Sequence, residues 1–99
     1  MNDPDDLLED KINLETSRIN WCELERHFAA GRLIWIDKSL DLVKVARAFN
    51  IDDATATKYW IENEQLAHVS DDQARKWQQA DQALWAVVVK PWVLVQDRD

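Results

Sequence analysis

Leu84-Trp85-Ala86-Val87-Val88-Val89-Lys90-Pro91-Trp92-Val93-Leu94-Val95-Gln96 closes the chain with its most apolar segment, interrupted by one charge, Lys90. Six consecutive apolar residues, 84–89, predict a strand covered on both faces. Pro91 cannot donate a ladder hydrogen bond, so the strand must bulge, bend or lie at an edge there. The half that follows Pro91 is longer than the short strands upstream can pair with. Trp92 and Leu94 are therefore expected at a sheet edge, as a contact surface for a protein partner or a second copy.

Upstream of this block the signals alternate between helix and strand. Ser70-Asp71-Asp72-Gln73 has the form of a capping box and opens a helix with Ala74 and Trp77 on its buried side. Leu66-Ala67-His68-Val69 reads as a short strand before it. Asp52 caps a helix running to about Glu64, with Ala56, Trp60 and Ile61 inward. Ser39 caps the one before, with Leu42, Val45, Ala46 and Phe49 as its apolar stripe and Asn50 at its end. Residues 32–37 are β-branched and aromatic, which predicts a strand. Asn20-Trp21-Cys22-Glu23 repeats the capping-box form with asparagine in the serine position, flanked by Ile19 and Leu24 as a hydrophobic staple. That helix spans about 20–30, with Gly31, the chain's single glycine, as its left-handed terminator. Asp3-Pro4-Asp5-Asp6 starts a first helix over about 4–18.

From residue 20 the order helix-strand-helix-helix-strand-helix-strand is that of a winged helix-turn-helix. The expected fold is α+β and winged-helix-like, with an extra N-terminal helix and a small, mainly antiparallel sheet of three strands. Residues 40–49 and 53–64 are the helix-turn-helix pair. Ala46 is small at their crossing, and Ile51 is apolar where the turn should plug the core. Ninety-nine residues fit one domain, 1–99, with acidic ends at 1–10 and 97–99. A three-stranded sheet leaves two edges. The apolar segment after Pro91 is covered either by the first twenty residues folding back or by a symmetric homodimer through the C-terminal strand.

Charge decides what the helix pair meets. The net charge is −7, but seven of the 19 acids and one of the 12 bases lie in the two ends, which leaves the body at −1. The segment from Asp52 to Glu64 sets Asp52, Asp53, Glu62 and Glu64 against Lys58, and four acids facing a polyanion oppose the phosphate attraction that drives nonspecific binding. Lys38, Lys44, Arg47 and Lys58 are the nucleic-acid contacts of the alternative reading, a DNA-binding regulator. The favoured reading is a non-catalytic protein-interaction module.

Catalysis and cofactors find no foothold. Cys22 and His27 lie about 140° apart on a helix and do not converge on a metal. His68 has no evident partner. The pairs Asp52-Asp53 and Asp71-Asp72 each start a helix, where capping accounts for them. A single glycine leaves no phosphate-cradling loop, and one cysteine leaves no disulfide framework. No catalytic, cofactor-binding or metal-ligating residue is assigned, and no cofactor is expected. No apolar run reaches the ~20 residues of a membrane span, and the acidic N-terminus is unlike a signal peptide. A cytoplasmic protein is expected.

Trp21-x-Glu23-Leu24, Phe28-x-x-Gly31, Ser39-Leu40-Asp41-Leu42-Val43 and the segment from Leu84 to Gln96 together resemble a family of short, single-domain bacterial proteins known only as a domain of unknown function. The likeness covers about residues 10–96, and the last segment is its most specific part. It implies a bacterial cytoplasmic protein and brings no activity, ligand or site residue with it.

Overall fold

The computed structural model describes residues 15–98. Their order is β1 (Ser17–Asn20), α1 (Trp21–Ala29), β2 (Leu33–Ile36), α2 (Leu42–Asn50), α3 (Ala54–Glu62), β3 (Leu66–His68), α4 (Asp71–Ala80), β4 (Ala83–Val89) and β5 (Trp92–Gln96). The fold is mixed α and β, around one five-stranded sheet in the order β1-β4-β5-β2-β3. Every neighbouring pair is antiparallel except β2 and β5.

Strand alternation builds a core on each face of the sheet. Ile34, Ile36, Leu66, Val87, Val89 and Leu94 face α2, whose Leu42, Val45 and Ala46 are buried among them. Leu33, Leu84, Ala86, Val93 and Val95 face the opposite way, toward Trp21 and Leu24 of α1 and Ala74 and Trp77 of α4. The molecule therefore has three layers, with α2 and α3 above the sheet and α1 and α4 below.

The apolar block from Leu84 to Gln96 is two strands, not one. Lys90 and Pro91 form a tight turn, and β4 and β5 pair from Trp85↔Gln96 to Val89↔Trp92. Proline is removed from the ladder by being placed in the turn, which folds each apolar half against the other. This corrects three expectations at once. The sheet has five strands, β5 is its central strand, and Leu94 is 0% exposed instead of lying at an edge. Trp92 is half-buried and packs edge-on to His68, with ring centroids 5.8 Å apart. β4 and β2 occupy both sides of β5, which leaves that strand no open edge for pairing with a second copy.

Other differences are local. Ser17, Arg18 and Ile19, expected at or just beyond the end of the first helix, form β1 on the edge of β4. The rest of that expected helix, residues 4–14, lies outside the described residues. Asn20 makes no side-chain cap to α1. Its amide and the Cys22 N–H instead reach the Asp81 carboxylate, at 3.4 and 3.2 Å. Asp41, not Ser39, caps α2, and Asp53, not Asp52, caps α3. Ser39 is bonded to Asp37. The capping box at Ser70 and Gln73 forms as expected.

Candidate interaction face

The α2–α3 pair is anchored from one side only. α2 buries Leu42, Val45, Ala46 and Ala48, whereas α3 buries no residue fully. α3 is held at its start by Asp53, which accepts from the Ala56 N–H at 3.1 Å, while the Thr57 hydroxyl donates to the Asp53 carbonyl at 3.0 Å. Trp60 alone turns from this helix into the core beneath α2. Four large apolar side chains of the described residues are exposed: Ile51 at 47%, Tyr59 at 63%, Ile61 at 52% and Val88 at 53%. Three of these four belong to α3 or to the turn that leads into it. Ile51, expected to plug the core, is thus turned outward, in a turn where Asp52 adopts φ +54°.

Between α3 and the sheet lies a cavity of about 470 Å³, lined by Ile34, Phe49, Thr57, Ile61, His68 and Trp92 among others. Its lining is almost wholly apolar. A second hollow of about 440 Å³ shares Phe49, Thr57, Ile61 and Trp92 and extends toward Lys58, Lys90 and Pro91 at the hairpin turn. Trp92 is therefore at the junction of the two, as a wall of the groove and not a protruding contact.

β3 borders the same groove and, among the described residues, is an outer strand paired with β2 alone. Val69 donates to the Leu33 carbonyl at 3.1 Å and Asp37 to the Gln65 carbonyl at 2.9 Å. With Trp35↔Ala67 between them, antiparallel alternation sends the main-chain N–H and C=O groups of Leu66 and His68 away from the sheet.

Of the basic residues of the DNA reading, Lys44, Arg47 and Lys58 share the α2–α3 layer and Lys38 is set apart. Lys44 is exposed and Arg47 half-buried on α2, while Lys38 lines a hollow with Lys76 and Trp77 of α4 in the opposite layer. Lys58, on α3, lies 4.0 Å from Glu62. Cys22 is exposed on α1, and its thiol is held above its ordinary pKa by partial desolvation and by the carboxylates of Asp81 and Glu23. His27 is pulled below the ordinary imidazole value by desolvation and by Arg26 and Arg32. Among the described residues no group of three or more His, Cys, Asp or Glu is placed to hold a metal ion. No helix among them is long and apolar enough to cross a membrane.

A family model for proteins of unknown function matches residues 7–97. The chain belongs to the DUF2288 family. This DUF2288 chain is also similar to PA1075 from Pseudomonas aeruginosa, known from an NMR solution structure. The two are 40% identical, with a TM-score of 0.82, over 100% of this chain and 92% of that one. A comparison with the curated proteins finds no match. Neither the family nor the related structure carries a stated activity, and the signals that point to the α3 face are physical ones. Sequence periodicity places Ala56, Trp60 and Ile61 inward together; Trp60 does reach the core, but Ile61 is exposed.

Proposed function

We propose that this DUF2288 chain is a non-catalytic protein-interaction module that meets its partner through α3 and the groove beside it. The concentration of exposed Ile51, Tyr59 and Ile61 on one helix and its lead-in turn carries this reading. Of the three, Ile61 borders the apolar hollow, and an exposed apolar side chain beside such a hollow suits a protein contact. In this reading α2 and α3 are a helix-turn-helix-like pair turned to protein contact. Winged-helix-like then describes only the order of the elements. β3 and β4 are separated in the sheet by β5 and β2, so they form no wing hairpin.

DNA binding is the weaker reading, since α3 presents one cation already beside Glu62 and the four acids Asp52, Asp53, Glu62 and Glu64 oppose a phosphate backbone. The test is site-specific photocrosslinking in cells, with a benzophenone amino acid at Tyr59 or, as a control in the opposite layer, at Gln79. Discrete protein adducts from Tyr59, absent from Gln79 and abolished by Ile61→Asp, are expected. Adducts from neither position, or from both alike, would overturn the reading.

A further inference from the structure

We infer that the partner adds an extended strand to the edge of β3 that is unpaired among the described residues, with apolar side chains directed toward the groove under α3 and basic residues at its two ends. The inference rests on the interaction reading above and names the chemistry of the occupant. Three features on different atoms converge on it.

The main chain supplies the first. The outward N–H and C=O groups of Leu66 and His68 are spaced to pair together with another main chain in register, as in strand addition. Apolar space supplies the second. Leu66, Ala67 and His68 line the 470 Å³ hollow together with Ile61 and Trp92, so a strand laid against β3 places alternate side chains beside that opening. Charge supplies the third. Glu62 and Glu64 precede β3 and Asp71 and Asp72 follow it, all exposed. Lys58 offsets Glu62 and Arg75 offsets Asp72, at 4.0 and 2.8 Å, whereas Glu64 and Asp71 have no ion pair among the described residues.

The same charges disfavour a second copy as the occupant. Two β3 strands pairing antiparallel about a two-fold axis would set Glu62 and Glu64 of one copy against Asp71 and Asp72 of the other, at both ends. A strand flanked by lysine or arginine meets those acids instead.

The probe is a capped peptide, Lys-Val-Thr-Ile-Thr-Val-Lys, titrated into the full-length 15N-labelled protein. Shifts confined to Leu66, Ala67, His68 and Ile61 are expected. A version with glutamate at both ends should bind about tenfold or more weakly at low salt. A version N-methylated on its alternate, pairing amides should not bind. His68→Pro removes an outward donor while the β2-facing bonds of Ala67 remain, and should abolish binding where His68→Ala retains it. If His68→Pro does not fold, the N-methylated peptide still decides the matter. Undisturbed β3 resonances at millimolar peptide would overturn the inference and leave the four acids as guards of an edge that stays unpaired. Equal binding of the acidic or the N-methylated peptide would overturn it too. Tyr59 adducts without β3 shifts would remove strand addition and leave the interaction reading standing, whereas no Tyr59 adducts would remove the reading itself.

Discussion

Each helix of the described chain ends on a residue with positive φ, and glycine occupies only one of the four places. Gly31 closes α1 at φ +71°, where Gly31 N–H reaches the Phe28 carbonyl and Arg32 N–H the His27 carbonyl, at 3.0 and 2.9 Å. The same double bond pattern ends α2 at Asp52, α3 at Glu64 and α4 at Asp81, with φ of +54°, +58° and +42°. A Cβ in the left-handed region costs about 1–2 kcal/mol, less for aspartate, and glycine's extra freedom in the unfolded chain returns part of that. Glu64→Gly is therefore expected to stabilise the protein by roughly 0.5–1 kcal/mol, read as a melting temperature several degrees higher. An unchanged or lower midpoint would refute the cost assigned to Glu64. Asp81 is different, because its carboxylate also accepts from Cys22 N–H and binds Asn20. That carboxylate raises the Cys22 thiol pKa and lowers the thiolate fraction at a given pH. Asp81→Asn keeps an acceptor and removes the charge, so iodoacetamide should alkylate Cys22 faster in the variant at pH 8. Equal rates would mean that the aspartate charge does not reach the sulfur.

At the scale of the element, β5 shows what one proline can hide. Residues 84–89 and 92–95 are apolar without interruption on both sides of Lys90-Pro91, and pattern alone distinguishes poorly between a kinked long strand and a hairpin. Length should have decided it, since thirteen residues exceed a usual strand. Once folded back, β5 lies between β4 and β2 and ends on Gln96, a polar side chain 1% exposed. Its amide donates to the Asp37 and Leu40 carbonyls at 2.9 and 2.7 Å, and its carbonyl accepts from Arg98 Nε at 2.7 Å. Both donors and the acceptor are thus used at the junction of β2, β5 and the lead-in to α2. Gln96→Leu would remove the side-chain donor from the Leu40 carbonyl and leave the Asp37 carbonyl with the Leu40 N–H alone, and a loss of about 1–2 kcal/mol in urea unfolding is expected. A loss under roughly 0.5 kcal/mol would show that water replaces the amide. The helices from residue 21 onward, the strands at 33–36 and 66–68, the Ser70 capping box and the Gly31 terminator were legible in the sequence because each depends on neighbours within a few residues, whereas the strand at Ser17–Asn20 was not. Sheet order was not, and nor was the role of Gln96, because both depend on strands brought together from far along the chain.

For the whole molecule, the three layers distribute stability unevenly. The lower layer is braced by Trp21 against Phe28 and Trp77, with ring centroids 5.7 and 5.9 Å apart. Above the sheet α2 is buried along one side, but α3 holds to the core through Trp60 and otherwise faces solvent or the groove. Opening free energy follows buried apolar contact, so α3 should open without the rest of the fold. Native-state hydrogen exchange is expected to be slowest at Val93, Leu94 and Val95, at the cost of global unfolding, and distinctly faster along α3. Ile61→Asp, being a change at an exposed position, should alter global stability by no more than about 0.5 kcal/mol. Together the two measurements separate contact from scaffold: a substitution that removes crosslinking at Tyr59 while leaving the β5 amides protected has removed a surface, not a fold. Should the α3 amides instead exchange as slowly as those of β5, the helix would belong to the global folding unit, and its exposed apolar side chains would sit on a rigid face with no separate opening to couple to binding.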